Sequence, residues 1–308
     1  MQPLEEAILR TILYADVFNF PMRIEEIHHF LLNSYAVSQP QIAQLIQQSP
    51  ILRQHVEQNQ APYYVLRGRS ELIAVRTERE RASQKLWPQA VYWGRWLARL
   101  PFVRMVAITG ALAVHNAAHE DDDLDFILVT QANRVWTARA LAILLVRIGK
   151  VFRVTICPNY VVAETNLAQS RRDTFMAHEV VQMIPLYGHP TYNQFRADNR
   201  WVEEQLANAD TPFYRETEPT FRLWERSLKQ AGEFLLGGGL GNSIERWEYQ
   251  RKVKRFQQDS KTPHSAAQLD AQHVKGHFND HGHPVLVKFE HRLRQLGLSH
   301  EALARTGD

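Results

Sequence analysis

Two aspartates, Asp123 and Asp125, stand two residues apart in a run of otherwise apolar residues, Leu124, Phe126, Ile127 and Leu128. In an extended chain, side chains alternate between faces, so the two carboxylates share one face with their Cα atoms ~6.6 Å apart. Leu124, Phe126 and Leu128 then point the other way, toward a core. Thirteen residues before Asp123, Gly110 closes another apolar run, Val103–Thr109, and opens a short helical stretch. Paired carboxylates are ligands for a hard divalent cation, and a glycine at a helix start lets a phosphate approach backbone N–H groups. The chemistry expected of Val103–Thr130 is therefore that of a metal ion and a phosphate. Asp121 and Asp122, just before the pair, read as a solvated turn.

The neighbouring elements complete an α/β unit. Asn133 is placed to cap an apolar helix through Trp136, Leu141, Leu144, Leu145 and Ile148, which Gly149 should end. A third strand is expected over Val151–Cys157, stopped by Pro158, with Tyr160–Ala163 continuing the sheet. On that strand Arg153, Thr155 and Cys157 share a face.

Before this unit, apolar spacing predicts helices over 3–17, Arg23–Leu32 and from Pro40 through Ile46. A hairpin should follow, with strands near Leu52–Val56 and Tyr63–Leu66 joined by a turn at Gln58–Pro62. Three short helices and a hairpin make the order of a winged helix. Its third helix, Gln39–Gln48, has no cation, and duplex binding leans on Arg and Lys. DNA reading is thus disfavoured against packing or partner binding. A charged helix over Ser70–Lys85, with Arg76, Arg79 and Arg81 among glutamates, reads as a solvated bridge. A second helix is expected between Pro88 and Pro101, and Trp87, Trp93 and Trp96 as junction packing.

After Glu164 the periodicity is helical over Arg172–Ile184, Tyr192–Leu206, Phe221–Leu236, Ser243–Phe256 and Val285–Leu296. His178-Glu179 lacks the second histidine of a zinc-protease helix. Gly237–Gly241 lacks the strand and Lys-Ser/Thr of a phosphate loop, so it reads as a helix break. Arg246, Arg251, Lys252, Lys254 and Arg255 form the densest basic cluster, a solvated face or a strip for a polyanion. The histidines His273, His277, His281 and His283 match no trusted zinc spacing.

The 308 residues, 44% hydrophobic and 22% charged, fit an ordinary globular protein of several domains, and a net charge of +3 permits a polyanionic partner without demanding one. One cysteine, Cys157, allows no disulfide within the chain and no thiolate-built metal site. No apolar run approaches the ~20 residues of a membrane span. No export signal is read at the start either, so a cytoplasmic protein without a membrane partner is expected.

Ile108-Thr109-Gly110-Ala111 followed by Asp123-Leu124-Asp125-Phe126 resembles the motif of the polymerase-beta-like nucleotidyltransferase superfamily. The likeness extends to uncharacterised bacterial proteins that carry an N-terminal winged helix. It implies an α+β fold: a winged-helix-like domain over 1–69, a helical bridge over 70–100, a nucleotidyltransferase core with a mixed sheet over 101–165, and a helical domain over 166–308. It also implies Mg²⁺ (or Mn²⁺) held by Asp123 and Asp125, and an NTP as substrate. Gly110, Ala111, Leu112 and Arg153 would bind the nucleotide. The product would be an NMP attached to a hydroxyl of RNA, protein or a small molecule. Two positions depart from the family: Ala111 stands where many members have Ser, and the expected third strand has no acid. Glu164 is the nearest substitute as a third metal ligand. The alternatives are a fold that binds nucleotide or a partner without turnover, and a winged-helix regulator.

Overall fold

The structure, a computed structural model, describes residues 1–58, 62–256, 268–275 and 282–298. Its N-terminal part packs α1 (Pro3–Val17), α2 (Ile24–His29), α3 (Gln39–Gln48) and α4 (Pro50–His55) beside a two-stranded antiparallel ribbon, β1 (Val56–Glu57) and β2 (Val65–Leu66). The expected strand at Leu52–Val56 is mostly helix. Pro50 occupies a first-turn position that needs no N–H donor, and the Ser49 hydroxyl accepts the Leu52 N–H at 3.1 Å, so a helix begins there. Asn59, Gln60 and Ala61 of the expected turn lie outside the described residues.

A single 27-residue helix, α5 (Leu72–Ala98), replaces the expected pair, running straight through Pro88. Proline forfeits one helical hydrogen bond, but Leu86, Ala90, Trp93 and Leu97 are buried on both sides of it, and their packing offsets that loss. Trp87 is half-buried and Trp96 exposed. The charged half of α5 is not a solvated face throughout. Arg76 is 0% exposed, lying over the Phe20 ring at 3.8 Å and bonded to Glu26 at 2.7 Å and Glu80 at 2.8 Å.

The main sheet has six strands in the order β6-β3-β4-β5-β8-β7. β3 (Val103–Ile108), α6 (Gly110–Ala113) and β4 (Leu124–Thr130) match the expected strand–helix–strand. α7 (Val135–Val151) follows, capped at Arg134 rather than Asn133, whose φ of +62° puts it in a left-handed turn. The third strand, β5 (Ile156–Ala163), starts later than expected and continues through Pro158, because Arg153 turns the chain with φ +59°.

β3 and β4 are antiparallel and β4 and β5 parallel, which makes the sheet mixed. Beyond it come α8 (Thr174–Gln182), β6 (Ile184–Tyr187), α9 (His189–Asp198), a 3₁₀ turn (Arg200–Glu204), α10 (Leu223–Gly237), α11 (Gly239–Phe256), β7 (Gln268–Leu269), β8 (His273–Lys275) and α12 (Gly282–Gln295). The segment read as wholly helical thus also supplies both flanks of the sheet. The glycine run does separate two helices, α10 from α11. The chain is a mixed α/β protein, and no helix among the described residues is long and apolar enough to cross a membrane.

Alternation along the strands sorts the two cores. Val106, Ile108, Leu124, Phe126 and Leu128 pack with α5 and α7 on one face. Met105, Ala107, Ile127 and Val129 pack with α1, α8 and α9 on the other. Asp125 has the parity of Ile127 and Val129, so it faces the N-terminal helices.

Candidate metal and phosphate site

Asp125 sits opposite Thr109, whose N–H donates to its backbone carbonyl at 3.0 Å. The next residue, Gly110, has φ +66°. A Cβ built on it would lie 2.6 Å from Asp125 Oδ2 and 3.3 Å from Cγ. Only glycine supplies both the left-handed backbone and the room for that carboxylate. The motif's spacing thus has a spatial meaning: the turn out of β3 is built against the acid on β4.

β5 adds a third contribution. Its register against β4 shifts between Phe126 and Ile127, which pair with Pro158 and Tyr160, so Asn159 is the extra residue of a bulge. Bulges re-aim side chains. Here the Asn159 amide donates to Asp125 Oδ1, while Cys157, paired with Asp125 across the ladder, gives its thiol proton to Asn159 Oδ1. Pro158 cannot donate to the ladder, which accounts for the bulge at that point.

The electrostatics follow from burial and from acids. Burial pushes the Asp125 carboxyl up to about 7; the Asn159 hydrogen bond opposes this, and Asp123, Glu179 and Asp122 reinforce it. Burial, then Asp125 and Asp123, push the Cys157 thiol up to about 12, so no thiolate is present at neutral pH. A half-buried carboxylate among like charges is what a divalent cation would neutralise, and the oxygen donors suit Mg²⁺. Among the described residues, however, no group of three or more His, Cys, Asp or Glu side chains is arranged to hold a metal.

Asp125 lies in the wall of a cavity of about 430 Å³, a size that suits a small organic ligand. Thr109, Asn159 and the start of α6, Gly110 and Ala111, line it on the sheet side; Thr11 and Tyr14 of α1 and Phe18 just after it face them, with Phe30 following α2. Arg171, Glu179 and Gln182 close a third side. Tyr14 stacks on His178 with ring centroids 4.0 Å apart. Burial holds the His178 imidazole down at about 4, so it is neutral and donates from Nδ1 to the Thr174 carbonyl at 2.8 Å.

The expected residues divide. Gly110, Ala111 and Asp125 line the cavity, and Leu112 of α6 is buried in the core. Asp123 is exposed immediately before β4 and does not line the cavity. Arg153 is exposed in the turn after α7 and does not line the cavity. Glu164 follows the far end of β5, its N–H on Thr130, five residues along β4 from Asp125 and thus roughly 17 Å away at strand spacing. Of the histidine cluster, His273 pairs with Asp270, His283 is exposed on α12, and His277 and His281 lie outside the described residues. The side chains of Arg255 and Phe256 lie outside them too.

Reasoning from sequence missed Asn159 and Glu179. A glutamate inside the apolar run Met176–Val181 was the available signal for the second; a bulge leaves none for the first. Set against known proteins, the chain matches no family model, no curated protein and no solved structure.

Proposed function

We propose that this chain is a Mg²⁺-dependent nucleotidyltransferase of the polymerase-beta-like kind, with residues 1–69 as a winged-helix-like wall of its cleft. The observation that carries the reading is the meeting of Gly110 with the Asp125 carboxylate in the wall of a ligand-sized cavity. The first N–H groups of α6, from Gly110, Ala111 and Leu112, have no partners within a helix and suit phosphate oxygens. Asp123 and Asp125 would hold the ion, which supplies charge neutralisation at the phosphates when bound.

The reaction is attack by an acceptor hydroxyl on the α-phosphorus. A new P–O bond forms, the hydroxyl proton passes to water, the bond from the α-phosphorus to the oxygen bridging to the β-phosphate breaks, and pyrophosphate leaves. The chain's own contribution is position: the cavity walls from α1 and α8 hold the reactants against the sheet and exclude water. The acceptor is RNA, protein or a small molecule, and a cytoplasmic setting provides the NTP.

One observation favours a second reading, nucleotide binding without turnover. Where a third acid is expected, β5 presents Cys157 and Asn159 to Asp125. A labelled-NTP assay with Mg²⁺ or Mn²⁺ and a pool of cellular RNA, protein and metabolites separates the two. Label transfer that disappears in the Asp123→Ala/Asp125→Ala variant supports the enzyme. Nucleotide binding with no transfer supports the second reading, and neither binding nor transfer sinks both.

A further inference from the structure

Helix α10 is inside out. Its inward stripe, spaced by four, is Glu225, Lys229 and Glu233. Glu225 accepts from Arg99 Nε at 2.7 Å. Lys229 Nζ donates to the Ala98 and Val103 carbonyls at 2.8 and 2.7 Å. Glu233 accepts from the Phe102 N–H at 2.8 Å and from Arg104 at 2.7 Å. These charges fasten α10 to the corner between α5 and β3. The opposite face, read round the helix at 3.6 residues per turn, is Leu223, Phe234, Ser227, Ala231, Trp224, Leu235 and Leu228, without one charge.

Among the described residues nothing covers that face: Leu223 is 82%, Leu228 67% and Phe234 85% exposed, with Trp224 and Leu235 also exposed. The five large side chains leave on the order of 700 Å² uncovered, above the largest patch of a typical monomer and close to the ~800 Å² per partner of a standard interface.

We propose that this face is the contact between two copies of the chain, α10 packed antiparallel on α10 about a two-fold axis. The order of residues argues for a second copy. An axis crossing the face midway between Ser227 and Ala231 sets Ser227 of one copy on Ala231 of the other, where the helices approach closest. The same axis sets Trp224 against Phe234 and Leu223 against Leu235. Small meets small at the crossing and large meets large at both ends, the self-complementarity that a two-fold interface needs. A face without charge offers nothing for a differently charged partner to read.

The test is light scattering on the full chain from about 1 to about 100 µM, with amide exchange of residues 223–235 followed over the same range. The expected result is a rise from 35.8 kDa to twice that mass, with slower exchange at the higher concentration. Ala231→Arg, and separately Ser227→Lys, should remain at 35.8 kDa throughout and unfold thermally as the native chain does at about 1 µM, where it is monomeric. Either dimeric variant overturns the proposal. A native chain that stays monomeric throughout overturns it too, whether its 223–235 amides are already protected by its own segments or it partitions onto phosphatidylglycerol vesicles instead.

Discussion

Replacing Gly110 by alanine tests the contact on which the site is built. The added Cβ meets two separate costs. A non-glycine residue at φ +66° costs about 1–2 kcal/mol wherever it stands. The 2.6 Å approach to Asp125 Oδ2 is shorter than any real Cβ contact, so Asp125 must also turn away and lose its hydrogen bond from Asn159, about 1 kcal/mol more. Gly68 provides the control, since its φ is +80° and nothing lies within 4 Å of the place a methyl group would take there. Gly68→Ala should cost only the backbone share. Gly110→Ala should therefore lower stability by about 2–3 kcal/mol in urea unfolding and exceed Gly68→Ala by about 1 kcal/mol. In an Asp125→Ala background the excess should vanish, which a double-mutant cycle reads directly. Equal costs for Gly110→Ala and Gly68→Ala, or an excess that survives the loss of Asp125, would refute the reasoning.

Arg76→Ala leaves Glu26, itself buried, without its counter-charge, and should destabilise the fold by about 3–5 kcal/mol in denaturant unfolding, whereas Arg76→Met with Glu26→Gln and Glu80→Gln should recover most of the loss. The share of stability held by the buried histidines should also fall on mild acidification, against the opposite contribution of Asp125. Burial holds His29, His115 and His178 at about 4, below the unfolded value of 6.5, so the unfolded chain binds more protons between those pH values. Their stabilisation is complete above about pH 6.5 and is lost as pH falls toward 4, to the extent of roughly 3 kcal/mol for His178 alone. His178→Phe should flatten that limb of a stability–pH curve, and an unchanged limb would show that His178 titrates normally. Lys229→Ala removes the ammonium from two buried carbonyls and should cost about 2–4 kcal/mol, measured by unfolding, while Lys229→Arg should not fully restore it because the fork cannot reproduce a point donor.

What was legible in the sequence was local. The strands at Val103–Ile108 and Leu124–Thr130 and the glycine between them follow from period-two patterning and one turn, whereas Asp123, expected within the second strand, precedes it. What was not legible depends on partners distant in the chain. Arg76 reads as solvated because its counter-ion Glu26 is fifty residues away. Pro88 reads as a break because the packing that carries α5 past it comes from the sheet. Pro158 reads as a strand end, since a pattern of residue types does not reveal the bulge that aims Asn159 at Asp125. Helical periodicity marked α10 as amphipathic but could not tell which side faces the fold, and the fold takes the charged one. The cavity is likewise tertiary: α1 lies about a hundred residues before the Asp125 it faces.

The most direct test of the account is equilibrium binding of each NTP to the intact chain with and without Mg²⁺, repeated with Asp125→Asn. The account predicts that at least one NTP binds only when Mg²⁺ or Mn²⁺ is present, and that Asp125→Asn, which keeps the side chain's shape but not its charge, weakens that binding at least ~10-fold, about 1.4 kcal/mol. No binding of any NTP with either metal, or binding that is independent of metal and unchanged in Asp125→Asn, would contradict it.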